Sequence, residues 1–129
     1  MGEKEKDKAK AGGLTKLELK VMQAVWRADG GTVSAVQEQM GGELAYTTVQ
    51  TMLNILVRKG KLRRQQEGRA FLYTAAESEA KARKETLRDL IDRMFGGRSE
   101  ELVMSLLKSR EINTKKLAEL AKRFEKDRD

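Results

Sequence analysis

Apolar positions along this 129-residue chain change period several times, and each change marks an element. Leu19, Met22, Val25 and Trp26 recur at helical spacing behind Thr15-Lys16-Leu17-Glu18, which has the Thr-x-x-Glu form of a capping box. Leu14 and Leu19 have the separation of a hydrophobic staple, so a helix is predicted from there to about Ala28, broken by Asp29-Gly30-Gly31. The single Trp lies on the apolar stripe, which makes it a core anchor. A short extended piece at Thr32-Val33 leads to a second helix over roughly residues 34–40, with Val36 and Met40 inward and Gly41-Gly42 at its end. A few residues later Val49, Met52, Leu53 and Leu56 define one face of a third helix, Tyr46 to Arg58, while Thr47, Thr51, Asn54 and Arg58 fall on the other. Gly60 supplies a left-handed stop.

The period then shortens to two. Residues 61–66 and 69–74 are predicted as strands flanking a two-residue Glu67-Gly68 turn, with Arg63, Arg64 and Arg69 gathered at the hairpin tip. Helix, tight turn, helix and basic hairpin, in that order, form a winged helix-turn-helix. In such a unit the short hydroxyl and amide side chains Thr47, Thr48, Gln50, Thr51 and Asn54 suit base edges in the major groove. Tyr46, Arg58, Lys61, Arg63, Arg64 and Arg69 suit the DNA backbone. Tyr46 serves equally well as a packing residue.

Beyond the hairpin three charged helices are predicted. The first, residues 77–95, places Leu87, Leu90, Ile91 and Met94 in register and closes at Gly96-Gly97. The second, residues 99–108, carries Leu102, Val103, Leu106 and Leu107, with Glu100 and Glu101 in the first turn where the helix dipole favours them. The third, residues 113 to about 126, carries Leu117, Leu120, Ala121 and Phe124. Such narrow stripes offer too little surface for an independent core, so these helices are expected to pair with a second copy.

Charge supports this reading and narrows it. The chain carries 27 Lys and Arg against 20 Asp and Glu, a net charge of +7, which favours a polyanionic partner. Between Glu43 and Phe71 six basic residues stand against Glu43 and Glu67 alone. With no Cys and no His, disulfides, thiolate chemistry, zinc fingers and imidazole-dependent triads are excluded, and the Lys/Glu-rich runs read as solvated faces, so neither catalysis nor a metal or cofactor is expected. No apolar run reaches the roughly 20 residues of a membrane span. The first 13 residues, ending GEKEKDKAKAGG, read as a disordered charged tail rather than a secretory segment, which points to a cytoplasmic protein.

From Leu14 to about Phe124 the sequence resembles the penicillinase-repressor family of bacterial transcriptional repressors. The resemblance rests on LELKVMQAVW, AYTTVQTMLNIL followed by VRKG, the EGRAFLYTA segment, MFGG and ELVMSLL, in that order. It implies an N-terminal winged helix, a C-terminal dimerisation region and binding to short palindromic operators. Carried across by position, the base-reading helix is residues 46–58 and the wing residues 63–69. Three departures stand out. Family members commonly have Arg where this chain has Ile55. Antibiotic-responsive members are cleaved at an Asn-Phe bond after a membrane sensor protease is triggered, and this chain has Ser105-Leu106 at the matching place, which counts against that partner. Copper-responsive relatives use Cys pairs, which are absent.

The sequence therefore predicts a mainly α protein in three parts: a tail over residues 1–13, a winged-helix domain over 14–75 and a helical dimerisation region over 76–129. It is expected to repress transcription as a homodimer on double-stranded DNA. A winged-helix module that docks other proteins without DNA function is the alternative.

Overall fold

The computed structural model describes residues 13–128; all of the expected tail but Gly13 lies outside them. Three helices come first, α1 (Lys16–Ala28), α2 (Val33–Gln39) and α3 (Tyr46–Arg58), followed by the strands β1 (Leu62–Glu67) and β2 (Ala70–Ala75). Helices α4 (Glu79–Phe95), α5 (Ser99–Lys108) and α6 (Thr114–Arg128) complete the chain. It divides into two compact units between Thr86 and Leu87, within α4, so the first turns of α4 belong with the hairpin and not with α5 and α6.

In the first unit local chemistry sets the helix ends. The Thr15 hydroxyl accepts from the Glu18 backbone N–H at 3.0 Å, and the Glu18 carboxylate accepts from the Thr15 N–H at 2.7 Å, the reciprocal pair of a capping box. Asp29 ends α1 in the left-handed conformation, φ 55°. The Thr32 hydroxyl caps α2 by accepting from Ala35 N–H at 3.2 Å. Val33 is therefore the first helical residue and is buried, not part of an extended approach as its β-branched neighbourhood suggested; the cap at Thr32 decides it. After α3 the chain turns through Gly60, φ 76°, with Gly60 N–H donating to Val57 O and Lys61 N–H to Leu56 O, both bonds of a Schellman motif.

The helices and the wing close on one core. Val21, Met22 and Val25 of α1, Val36 of α2, Val49, Leu53 and Leu56 of α3 and Tyr73 of β2 are essentially inaccessible. Each such aliphatic side chain contributes about 1.5–3 kcal/mol relative to its exposed state. Trp26 packs at the edge of this core and donates from Nε1 to the Glu77 carbonyl at 3.0 Å, the anchoring role its position on the stripe implied.

The hairpin differs from expectation by one residue. β1 and β2 pair antiparallel with Glu67 opposite Ala70, so the two-residue connection is Gly68-Arg69, not Glu67-Gly68. Gly68 has φ 65° while Arg69 is not in the left-handed region, the sign pattern of a type II′ turn, which asks for glycine first. The shift also corrects the expected cluster of arginines. Only Arg69 sits at the tip; Arg63 and Arg64 pair with Thr74 and Tyr73 near the base of the hairpin. Because strand neighbours alternate, Leu62, Arg64, Phe71, Tyr73 and Ala75 share the inner face and Arg63 the outer. Residue Gly31 extends the sheet, exchanging backbone hydrogen bonds with Tyr73 at 3.0 and 2.8 Å.

The second unit contains α5, α6 and most of α4. Asn113 caps α6 by accepting from Lys116 N–H at 2.7 Å. The helices form where the sequence places them, but not one residue of α4, α5 or α6 is buried.

Candidate nucleic-acid interface

The N-terminus of α3 differs from those of α1 and α2. Its N-cap is Ala45, with no side-chain hydrogen bond where Thr15 and Thr32 cap the other two, and like α2 it has no acidic residue in its first turn. The unpaired N–H groups and the positive end of the helix dipole are thus left open to an external anion. From Leu44 through Gln66 the chain has no acidic residue at all.

The two faces of α3 separate as its pattern predicts except at Asn54. Val49, Leu53 and Leu56 are buried and Met52 packs against the core, whereas Thr47, Thr48, Thr51 and Arg58 are exposed and Gln50 and Asn54 are half-buried. None of Thr47, Thr48 or Thr51 has a side-chain hydrogen bond among the described residues, so their hydroxyls are available to a ligand. Tyr46, at the first turn, is 46% exposed. Ile55 is half-buried.

On the wing, Arg63 and Arg69 are exposed and make no ion pair among the described residues; Lys61, just before β1, is half-buried. Arg64 is different. Its Nη1 donates to Asn54 Oδ1 at 3.0 Å, and its guanidinium lies 4.3 Å from the centre of the Phe71 ring, a cation–π arrangement. The same Asn54 Oδ1 accepts from the buried Tyr73 hydroxyl at 2.9 Å. One amide oxygen therefore ties α3 to both strands of the wing. Phe71 and Tyr73 were not singled out from the sequence, although their alternation along β2 carries the signal of an inner face.

A second tie holds the C-terminal end of α3. Lys59 Nζ reaches Glu18 at 2.9 and 3.0 Å and the Gly13 carbonyl at 3.2 Å, and the Glu18 side chain is only 4% exposed. Burial pushes the Glu18 carboxyl up, but hydrogen bonds from Lys59 and Thr15, with the Lys59 charge, outweigh it and hold Glu18 below its ordinary value. The sequence shows Glu18 as a capping residue only. Nothing in it links two residues 41 positions apart.

In the second unit the residues expected to pair with another copy present an uncovered apolar surface. Leu87, Leu90, Met94, Leu106, Leu120 and Phe124 are exposed, the last by 62%, while Ile91, Leu102 and Leu117 are half-buried. Among the described residues no three His, Cys, Asp or Glu side chains come together to hold a metal ion, and no helix is long and apolar enough to cross a membrane.

A recognition-type helix with an open N-terminus, packed through α1 and α2 and flanked by a cationic hairpin, defines a winged-helix fold. Comparison with known proteins agrees: the model of the penicillinase repressor family matches residues 14–126, and the chain belongs to that family. It is 27% identical to the penicillinase repressor of Bacillus licheniformis over 105 residues, covering 80% of this chain and 82% of that one. It is 24% identical to the penicillinase repressor of Staphylococcus aureus over 102 residues, 78% and 81% of the two chains. Among solved structures, the YusO protein of Bacillus subtilis superposes with a TM-score of 0.56 at 18% identity, covering 92% of this chain and 77% of that one, a likeness of fold.

Proposed function

We propose that this protein is a cytoplasmic repressor that binds a pseudo-palindromic DNA operator as a homodimer. The observation that carries the reading is the exposed threonine face of α3 beside an unsatisfied helix N-terminus, on a stretch free of acidic residues. Thr47, Thr48, Gln50 and Thr51 face base edges, and the open N–H groups and Tyr46 meet the phosphates on one side of the groove. Arg58, Lys61, Arg63 and Arg69 grip phosphates on the other. The family's repressors lend their name to the outcome, and this geometry supplies the means.

Dimerisation follows from the uncovered apolar residues of α4, α5 and α6, which a second copy would cover. Two recognition helices related by a two-fold axis select half-sites about one helical turn apart, roughly 34 Å, or a multiple of that. Relief of repression by a membrane sensor protease is not part of this reading, because Ser105-Leu106 replaces the Asn-Phe bond of the antibiotic-responsive members.

Duplexes enriched from a random-sequence pool by the full-length chain test this directly. Affinity for the enriched duplex is expected to fall linearly with the logarithm of salt concentration, by about one unit of slope per phosphate contact. Binding that ignores salt, or an absence of enrichment, contradicts the proposal and favours a protein-docking module instead.

A further inference from the structure

One cluster is not absorbed by a simple division into base readers and phosphate grips: Asn54 of α3, Arg64 of β1, and Phe71 and Tyr73 of β2. Attracting a polyanion requires charge but no orientation, and Arg63 and Arg69, exposed and unpaired among the described residues, are suited to that task. The Arg64 guanidinium is held instead, at one corner by Asn54 Oδ1 and across one face by the Phe71 ring. Ordering a long side chain costs rotamer entropy. Such order is useful to a directional contact, where a pre-set fork loses little more on binding.

The geometry leaves most of that fork unused. A guanidinium has five N–H groups, and only one Nη1 donation is taken within the protein. Arg64 is also bonded to a side chain of α3 itself, so it is placed with the recognition helix and not with the hairpin tip, where Arg69 lies. A cation beside a helix in the major groove meets guanine N7 and O6, an acceptor pair that matches two adjacent guanidinium N–H groups.

We infer that Asn54 is a positioning residue and that Arg64 is the specificity-determining cation of the interface, its remaining N–H groups directed at the major-groove edge of a guanine. This reassigns both residues from the roles their positions in the sequence suggested, Asn54 as a base reader and Arg64 as a phosphate grip. The inference rests on the DNA-binding reading above.

The test uses the full-length chain, a duplex enriched by the wild type from a random pool, and a scrambled duplex of the same composition. Arg64→Lys keeps the charge and removes the fork. It is expected to weaken binding to the enriched duplex about tenfold, with little change on scrambled DNA and an unchanged salt slope, the size of one lost base contact. Asn54→Ala should lose a similar factor on the enriched duplex, and the double variant no more than the worse single one, because the two residues act as one unit. Tyr73→Phe removes the other donor to Asn54 while leaving Arg64 in place; it should lower the melting temperature and keep discrimination. The inference is overturned if Arg64→Lys binds both duplexes like the wild type, if the two losses multiply, or if Tyr73→Phe loses discrimination as Asn54→Ala does. A wild type that enriches no duplex overturns the DNA-binding reading itself, a different outcome from a wild type that enriches one and reads it without Arg64.

Discussion

The two units of this chain solve the problem of burying apolar side chains in opposite ways. The first folds three helices and a hairpin around Val21, Met22, Val36, Leu53, Leu56 and Tyr73, and Glu18 is the one charged residue buried there among the described residues. The second contains comparable apolar stripes, yet no residue of its helices is buried and Phe124 is 62% exposed. The difference lies in the direction of the stripes. In the first unit they converge because tight turns at Asp29 and Gly60 fold successive helices and strands onto one another; in the second they stay open. A surface of that kind on a stable protein is an interaction site. The first unit thus closes around its own core, while the second leaves its apolar residues uncovered, and we propose that a second copy covers them.

The largest effect that sharpens this contrast is expected at Leu53. Leu53→Ala leaves a cavity at the centre of the first unit and should cost about 2–5 kcal/mol, independent of protein concentration. Phe124→Ala removes an exposed ring and should leave the monomer fold intact, lowering instead a melting temperature that depends on concentration. Equal, concentration-independent losses in the two variants, measured by thermal melts at several concentrations, would erase the distinction.

Next in size is the Glu18–Lys59 pair, which fastens the end of α3 to the start of α1. Glu18→Gln leaves Lys59 without its carboxylate and should destabilise by about 1–3 kcal/mol at neutral pH. Because the folded protein holds Glu18 below its ordinary value, its contribution is fully present above the ordinary carboxylate range. It is lost as pH falls through the lowered folded value, where both states become protonated. Chemical denaturation at stepwise lower pH should therefore show a stability decline in the wild type that Glu18→Gln lacks in part; parallel curves would mean that the pair adds nothing.

The smallest expected effect is at Asp29, a non-glycine residue in the left-handed conformation at the end of α1. Asp29→Gly should stabilise the first unit by up to about 1 kcal/mol through relief of that strain. A loss of stability would show that the Asp side chain does more than end a helix.

Much of the first unit was legible because its signals are local. The capping box at Thr15, the faces of α3 and the stop at Gly60 follow from spacing within one or two turns, and each is found where the pattern puts it. The errors arose where a short-range signal had two solutions. Glu67-Gly68 and Gly68-Arg69 both supply a two-residue turn with glycine, and only the pairing of whole strands decides between them. What escaped altogether was long-range: the contact of Glu18 with Lys59, and the convergence of Asn54, Arg64 and Tyr73, depend on how helices and strands meet. The candidate interface was thus readable as a set of residues, while the ties that orient some of them were not.

Sedimentation equilibrium of the full-length chain at micromolar concentration shows whether another copy covers the apolar residues of the second unit. A mass about twice 14.6 kDa is expected for the full-length chain, whereas a chain ending at Thr86 should sediment at the mass of one such shortened chain. A full-length chain that sediments as a 14.6 kDa monomer throughout that range would contradict it.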